Sequence, residues 1–440
     1  LIDGPRKAVR VPVGWRVVYG ALGAAVAAWF LLRACSARDP EARLKYAERL
    51  GRWDDFNSNG SNLPVMWLHA ASVGEVALAA AIVRRLRERV SGVRVLLTCN
   101  TPTGRAEALR AGVDEVRYLP VDFGPVVRRA VDIARPTVFA FVETEIWPTL
   151  LGEFAARSVP AAMFNARVSS RSFPRYRRIR PLVCGALESL VRVCARDRAS
   201  ADRLLFLGAR FEATRVVGDV KLDAIDPSDV EATDALLDGR TGGRAVLLAI
   251  STHPGEEEMV LEAFGRLRDA GLSAALVLAP RHPERADAVS DLAASDWRVR
   301  RWSEGPPEGD WDVLVVDTTG DVRGFAKTAA AAFVGGSFVP VGGHNLFEPA
   351  AFGVPVAAGG HLDEVADQAE TLTAAGCLEV VADAPALATV WRRWLESPEH
   401  ARDVGAACRR TVEAHGGALA RAVEEMAWLL RERGIHASVG

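Results

Sequence analysis

Short, uninterrupted apolar runs alternate with helix-period stretches along nearly the whole of this chain, and that alternation limits its fold more than any other feature. The first runs lie at residues 65–69, 93–98, 115–119, 137–142, 161–164, 192–195 and 214–217, with helical stretches such as 76–89 and 125–134 between them. A run that is apolar throughout, with no polar residue at every second place, suits a parallel strand buried on both faces. Residues 223–243 (DAIDPSDVEATDALLDGRTGG) interrupt the rhythm with a polar, loop-rich linker. The alternation restarts at 245–250, 274–278, 297–300, 312–316, 331–334, 354–357 and 378–381, and helical segments at 388–395 and 401–433 close the chain. A length of 440 residues is comfortable for two domains. The pattern predicts an α/β fold of two doubly wound, Rossmann-like halves with a ligand cleft between them at the carboxyl ends of the strands. The expected boundaries are 46–225 for the first domain, 226–243 for the linker and 244–440 for the second, with 1–45 standing apart.

That first segment departs from an otherwise ordinary globular composition of 49% hydrophobic and 25% charged residues. Residues 17–32 (VVYGALGAAVAAWFLL) carry no charge, with Arg6, Lys7, Arg10 and Arg16 ahead of them and Arg33 behind. A span needs about 20 apolar residues, and snorkelling of Arg16 and Arg33 would make up the difference. Trp15, Tyr19 and Trp29 suit a membrane interface. The segment is therefore expected to be a membrane anchor. A cleaved signal peptide would lack a clean A-x-A site here, and a lipoprotein site ending at Cys35 would have to hold Arg33. The net charge of -2 gives no case for a nucleic-acid partner. Six scattered cysteines with no CxxC argue for a reducing compartment and against a structural zinc.

Chemistry-bearing residues cluster just after the apolar runs. Residues 335–353 (GGSFVPVGGHNLFEPAAFG) set Gly335, Gly336 and Ser337 directly behind a strand, then Gly343, His344 and Asn345, then Glu348. Bare backbone at a strand end suits close approach to a phosphate, and a carboxylate matches the vicinal hydroxyls of a ribose. Residues 279–285 (APRHPER) place Arg281 and His282 to meet an anion or a base edge, with Arg285 either doing the same or pairing with Glu284. Residues 251–257 (STHPGEE) offer hydroxyls, a histidine and acids that open a helix, with Ser251 or Thr252 expected to cap it. In the first half, Ser72, Gly74 and Glu75 follow a strand, and Glu75 is placed either as a general base or as a dipole-favoured first-turn residue. Glu143 and Glu145 precede Trp147, which offers a platform for a sugar or acyl group. Residues 165–180 hold Arg167, Arg171, Arg175, Arg177, Arg178 and Arg180, a patch suited to a phosphorylated, membrane-borne acceptor or simply a solvated face. Asp310-Trp311-Asp312 is formally a metal-binding pair, but it opens a strand rather than ending one, so no metal site is expected.

In order along the chain, HAASVGE, FVETEIWP, NARVSSRSF, GDVKLD, STHPGEE, PRHPER, DTTGDV and GGSFVPVGGHNLFEPAAFG resemble the 3-deoxy-D-manno-octulosonic acid (Kdo) transferases of lipopolysaccharide assembly. The resemblance runs from about Lys45 to the last helix. It implies a GT-B fold with a single N-terminal anchor and the catalytic domains on the cytoplasmic face of the inner membrane. It implies inverting transfer of Kdo from CMP-Kdo to a phosphorylated lipid A precursor, without a metal or other cofactor. On that pattern Glu75 is the base and Arg281, His282, Asn345 and Glu348 are donor contacts, while Glu145 and Lys221 support the acceptor side. Two departures stand out. Gly320-Asp321 replaces the usual Gly-Glu, and Gly359-Gly360-His361 runs on into Leu362-Asp363-Glu364-Val365 without the usual Asn-Phe. The residues also fit a GT-B enzyme with another nucleotide sugar, such as a UDP-sugar, or an inactive membrane-tethered scaffold.

Overall fold

The computed structural model describes residues 11–54, 63–223, 237, 240–307, 309–318 and 321–435, except the side chains of Lys221 and Leu222. Leu1, Arg6, Lys7, Arg10, Gly320 and residues 226–236 of the expected linker lie outside them. The chain divides into two compact units, one of Leu1–Ala224 with Gly417–Gly440 and one of Ile225–Gly416.

In the first unit, helix α1 (Val13–Ser36) and helix α2 (Pro40–Arg49) precede the sheet. Alpha1 is long and apolar enough to cross a membrane. Within the unit it does not stand alone. Tyr19 donates a 2.8 Å hydrogen bond to Asp122, and a Cβ on Gly23 would sit 3.2 Å from the Asp122 carbonyl oxygen. Ala27 and Ala34 cluster with Leu50 and Val121, while Val13, Val17, Val18, Leu22 and Leu32 on the other side are exposed.

The sheet comprises β1 (Val65–His69), β2 (Arg94–Cys99), β3 (Glu115–Tyr118), β4 (Val138–Val142), β5 (Ala161–Ala166), β6 (Arg192–Ala195) and β7 (Thr214–Val216). Their order is β3-β2-β1-β4-β5-β6-β7, every neighbouring pair parallel. Alternate residues feed two cores, as the pleat requires: Met66 and Leu68 join one, Trp67 and Phe139 the other. Helices α3 (Val73–Arg87), α4 (Gly124–Ala134) and α5 (Pro148–Ala156) follow β1, β3 and β4.

The second unit repeats the plan with β8 (Ala245–Thr252), β9 (Ala274–Pro280), β10 (Val299–Arg301), β11 (Val313–Val315), β12 (Ala329–Val334), β13 (Val356–Ala358) and β14 (Leu378–Val380). Its order is β10-β11-β9-β8-β12-β13-β14, again parallel throughout. Helix α6 (Glu256–Asp269) follows β8. Each apolar run of the sequence becomes a strand. The ends differ by a residue or two where polar residues prolong the ladder. Strand β5 continues through Asn165 and β8 through Ser251, each with a positive φ and a register shift beside it. In each sheet the connection reverses direction once, between β1 and β4 and between β8 and β12, and a doubly wound sheet binds its ligand at that point.

The expected boundary of 244–440 needs correction at its end. The helical pattern of 401–433 breaks at Gly416-Gly417 into α7 (Pro398–His415) and α8 (Ala418–Arg431), and α8 belongs to the first unit. Its face of Ala422, Val423, Met426, Leu429 and Leu430 is buried against Val76, Val83 and Leu86 of α3. The Asp223 carboxylate accepts N–H bonds from Gly417 and Leu419, which secures the start of α8. Periodicity marked the apolar stripe but carried no information on which sheet it would cover. Leu430→Ala should therefore cost the first unit about 2–5 kcal/mol, read as a lowered urea midpoint.

Candidate active site

At the first sheet's reversal, the β1 and β4 loops bring acids together. Ser72 stands at the N-cap of α3, and Glu75 lies in its first turn, only 9% exposed. Glu75 reaches backward. Its Oε2 accepts the Ala71 N–H at 2.8 Å and its Oε1 accepts the Ser72 hydroxyl at 2.8 Å. These two bonds tie Glu75 to the residues just before its helix and hold the carboxylate in one orientation. Burial pushes its proton affinity above the ordinary carboxylate value. The two hydrogen bonds oppose that shift, and the charges of Glu143 and Glu145 add to it. Gly74, the residue before Glu75, is exposed, and a Cβ there would meet nothing within 4 Å.

Strand β4 ends in Glu143, held at a left-handed φ of 62° with its N–H on the Phe164 carbonyl. A non-glycine residue in that region stores strain of about 1–3 kcal/mol. Asn165 and Ser251 have positive φ at the carboxyl ends of β5 and β8. Glu145 accepts a 3.2 Å bond from the Asn100 amide and lies 3.5 Å from His69 Nε2. Thr144 bonds the backbone of Arg167 through both its hydroxyl proton and its oxygen, and Tyr176 donates to the Thr144 carbonyl at 3.1 Å. Those contacts tie the acidic loop to the arginine-rich stretch, in which Arg171, Arg175, Arg177 and Arg178 are exposed. The Asn165 side chain accepts the Val220 N–H beside Lys221. The Lys221 side chain lies outside the described residues.

The second unit repeats the placement and changes its use. Ser72-Val73-Gly74-Glu75 after β1 corresponds to His253-Pro254-Gly255-Glu256 after β8. Glu256 is fully buried and accepts four backbone N–H groups, from His253 (2.9 Å), Gly336 (2.7 Å), Ser337 (2.9 Å) and Phe338 (2.8 Å). Gly335 bonds the Ile250 carbonyl, and a Cβ there would lie 2.6 Å from the Ser251 oxygen. The amides of the first glycine turn therefore bond within the protein, where the sequence reading had aimed them at a phosphate. Ser337 is likewise engaged, donating to the Val334 carbonyl and accepting the Gly359 N–H. The Gly343 N–H bonds the Gly336 carbonyl.

Side chains carry the polarity of this site instead. The Nε2 atoms of His253 and His344 lie 2.8 Å apart, and the His282 ring stands edge-on to His253. Burial, helped by His282, holds His253 below the ordinary imidazole value against the pull of Glu256. Arg281 is exposed, with its N–H on the Thr252 carbonyl. Asn345 accepts the Phe347 N–H, and Glu348, 26% exposed, accepts from Arg323 at 3.3 Å. Three expectations change. Neither Ser251 nor Thr252 caps α6, whose N-cap is Gly255. Arg285 pairs with the buried Glu257 rather than Glu284. The departing 359–365 segment is tied to the glycine turns through backbone, His361 N–H to Ser337 and Glu364 N–H to Gly342, and its Leu362, Glu364 and Val365 side chains lie against Gly342 and Gly343.

Asp310 and Asp312 both pair with Arg298 just before β11. Among the described residues, no three His, Cys, Asp or Glu side chains are grouped to hold a metal ion.

The two glutamates should respond oppositely to neutralisation. Glu256→Gln turns an amide N–H2 toward backbone donors and should cost about 3 kcal/mol or more in unfolding titrations. Glu75→Gln should leave stability equal or raised. A carboxyl whose proton affinity rises on folding is stabilised by protonation, so its contribution falls as pH climbs from the ordinary carboxylate range through the raised value.

Residues 44–224 match the family described as 3-Deoxy-D-manno-octulosonic-acid transferase (kdotransferase). The chain is 32% identical over 398 residues to the 3-deoxy-D-manno-octulosonic acid transferase of Haemophilus influenzae, covering 88% of this chain and 92% of that one. To the Bordetella pertussis protein of the same name it is 34% identical over 403 residues, 86% and 93% of the two chains. The solved UDP-GlcNAc 2-epimerase from Neisseria meningitidis bound to UDP-GlcNAc shares the fold, with a TM-score of 0.59 over 84% of this chain and all of that one at 12% identity. A fold that also serves an epimerase does not choose the chemistry, whereas identity along nearly the full length of two transferases does. The chain belongs to the 3-deoxy-D-manno-octulosonic acid transferase family and is a glycosyltransferase of the GT-B fold.

Proposed function

We propose that the protein transfers Kdo from CMP-Kdo to a phosphorylated lipid A precursor, with Glu75 as the general base. The observation that carries this reading is the state of the Glu75 carboxylate. It is buried, oriented by two hydrogen bonds and raised in proton affinity. Such a group takes a hydroxyl proton better than an ordinary surface carboxylate. As the acceptor oxygen attacks the anomeric carbon in line, the proton passes to Glu75 and CMP departs, inverting the centre.

The donor belongs to the second unit in this reading. Arg281, His282 and the His253–His344 pair meet the phosphate charge, and Asn345 and Glu348 meet the ribose. Gly335, Gly336, Ser337 and Gly343 shape that turn, their N–H groups being bonded within the protein. Ser72, Glu145, Arg167, Arg171 and Lys221 serve the acceptor, the arginines matching its phosphates. Alpha1 anchors the enzyme at the inner membrane with both units on the cytoplasmic face, where a CMP-sugar is available. Its apolar exposed side, with Arg16 and Arg33 able to snorkel, supports the anchoring, while basic residues at both ends leave the orientation to the location of the donor.

Transfer from CMP-Kdo, generated in place, to a lipid A precursor in detergent tests the reading. Glu75→Gln should lower kcat by about 10²–10⁴-fold while CMP binding persists. In the wild type, the acidic limb of kcat/KM should stand above the ordinary carboxylate value near about 4.3. Undiminished transfer by the variant would remove Glu75 as the base, and no transfer by the wild type would remove the donor–acceptor pair.

A further inference from the structure

His69 ends β1 with no solvent exposure, and its two ring nitrogens have different surroundings. Nδ1 lies 2.9 Å from the Thr98 carbonyl oxygen, which only accepts, so Nδ1 carries a proton. The Thr98 hydroxyl, 3.1 Å away, already accepts the Trp67 indole N–H at 2.9 Å, and its own proton points to the Leu68 carbonyl. Nε2 has no hydrogen-bond partner and faces Glu145 Oε2 at 3.5 Å. With Nδ1 committed as a donor, a neutral ring would turn a lone pair toward a carboxylate, and two acceptors facing one another in a buried place repel. A proton between Nε2 and Oε2 resolves the conflict.

Building on the reading of Glu75 as base, we propose that His69 is a positioning residue for the transfer: it shares one proton with Glu145 and so keeps compensated a carboxylate that faces Glu75. The groups around Glu145 make this compensation matter. Glu75 and Glu143 are the other acids of the pocket, and both Glu143 and Glu145 act on Glu75. Arg49 of α2 and Tyr176 also face Glu145. The Arg49 guanidinium is held by the carbonyls of Asn100 and Leu119, and the Tyr176 hydroxyl by that of Thr144. The Asn100 amide also donates to Oε2, at 3.2 Å, but it is neutral; His69 brings to the same oxygen a buried ring nitrogen with no other partner, one that can carry a compensating proton. It thereby limits the negative charge against which Glu75 must ionise, and it leaves Glu145 oriented toward an acceptor hydroxyl.

The test is the pH dependence of kcat/KM for Kdo transfer by the full chain in detergent, in the wild type, His69→Gln, Glu145→Gln and the double variant. His69→Gln should move the acidic limb up by roughly 0.5–1 pH unit, because Glu145 then adds its full charge beside Glu75. Glu145→Gln should move it down, and the double variant should return close to the Glu145→Gln profile, since without Glu145 the identity of residue 69 no longer matters to Glu75. A limb that stays in place in His69→Gln, or shifts that simply add in the double variant, would overturn the proposal. His69 is fully buried, so a second measurement needs neither that variant nor turnover. With 15N-labelled histidine, Nε2 of His69 should report a protonated or proton-sharing nitrogen in the wild type and a bare one in Glu145→Gln at the same pH. An unchanged bare nitrogen in both would also overturn it. Because the nitrogen signal requires no product, failure of the Kdo-transfer reading and failure of the His69–Glu145 pair are distinguishable.

Discussion

A parallel sheet buried on both faces leaves the protein one place to do chemistry, the carboxyl ends of its strands, and there the turning backbone exposes N–H groups that need acceptors. Buried carboxylates answer that need in both units. Glu48 accepts the Tyr118 N–H at the end of β3, and Asp122 accepts those of Thr149 and Leu150 at the start of α5. Glu256 accepts four at once and fixes the loops of β8 and β12 together. Bonds from backbone N–H to an ionised acceptor are about twice as strong as neutral ones, so these loops acquire a definite shape without regular secondary structure.

Glu75 and Glu256 show how one placement yields two outcomes. Each stands directly after a glycine in the first turn of the helix that follows the first strand of its sheet. Glu256 is saturated by N–H donors, three of them from the glycine turn after β12, and its carboxylate has no capacity left for a ligand. Glu75 receives one N–H and one hydroxyl and feels the charges of Glu143 and Glu145. Incomplete satisfaction in a buried place is what makes a carboxylate a base.

The same economy of donors shapes the nucleotide side. The amides at Gly335, Gly336 and Ser337 are bonded internally, so the proposed phosphate contacts fall to the histidine pair and Arg281 rather than to a cradle of bare backbone. The glycines are needed for close approach of chain to chain: a Cβ on Gly335 would strike the Ser251 carbonyl, and one on Gly336 the His344 ring. Reading glycine-rich strand ends as phosphate sites errs wherever a buried acid reaches those amides first.

Much of this was legible in the chain alone. The apolar runs became strands in the expected places, since burial on both faces demands uniform apolarity over a few residues and little else. Glu75, Glu145, His344 and Glu348 were nameable because each follows such a run. His69, Asn100, His253 and Glu256 acquired roles only in three dimensions, through partners as far as 91 positions away. Alpha8 shows the same limit: its apolar stripe dictated that it pack, and the break at Gly417 with the Asp223 cap decided on which sheet. Local pattern determines what a segment must bury and which chemistry it can offer. The tertiary structure decides which donors reach which acceptors, and in this protein that allotment separates a fully bonded glutamate from one whose proton affinity is raised.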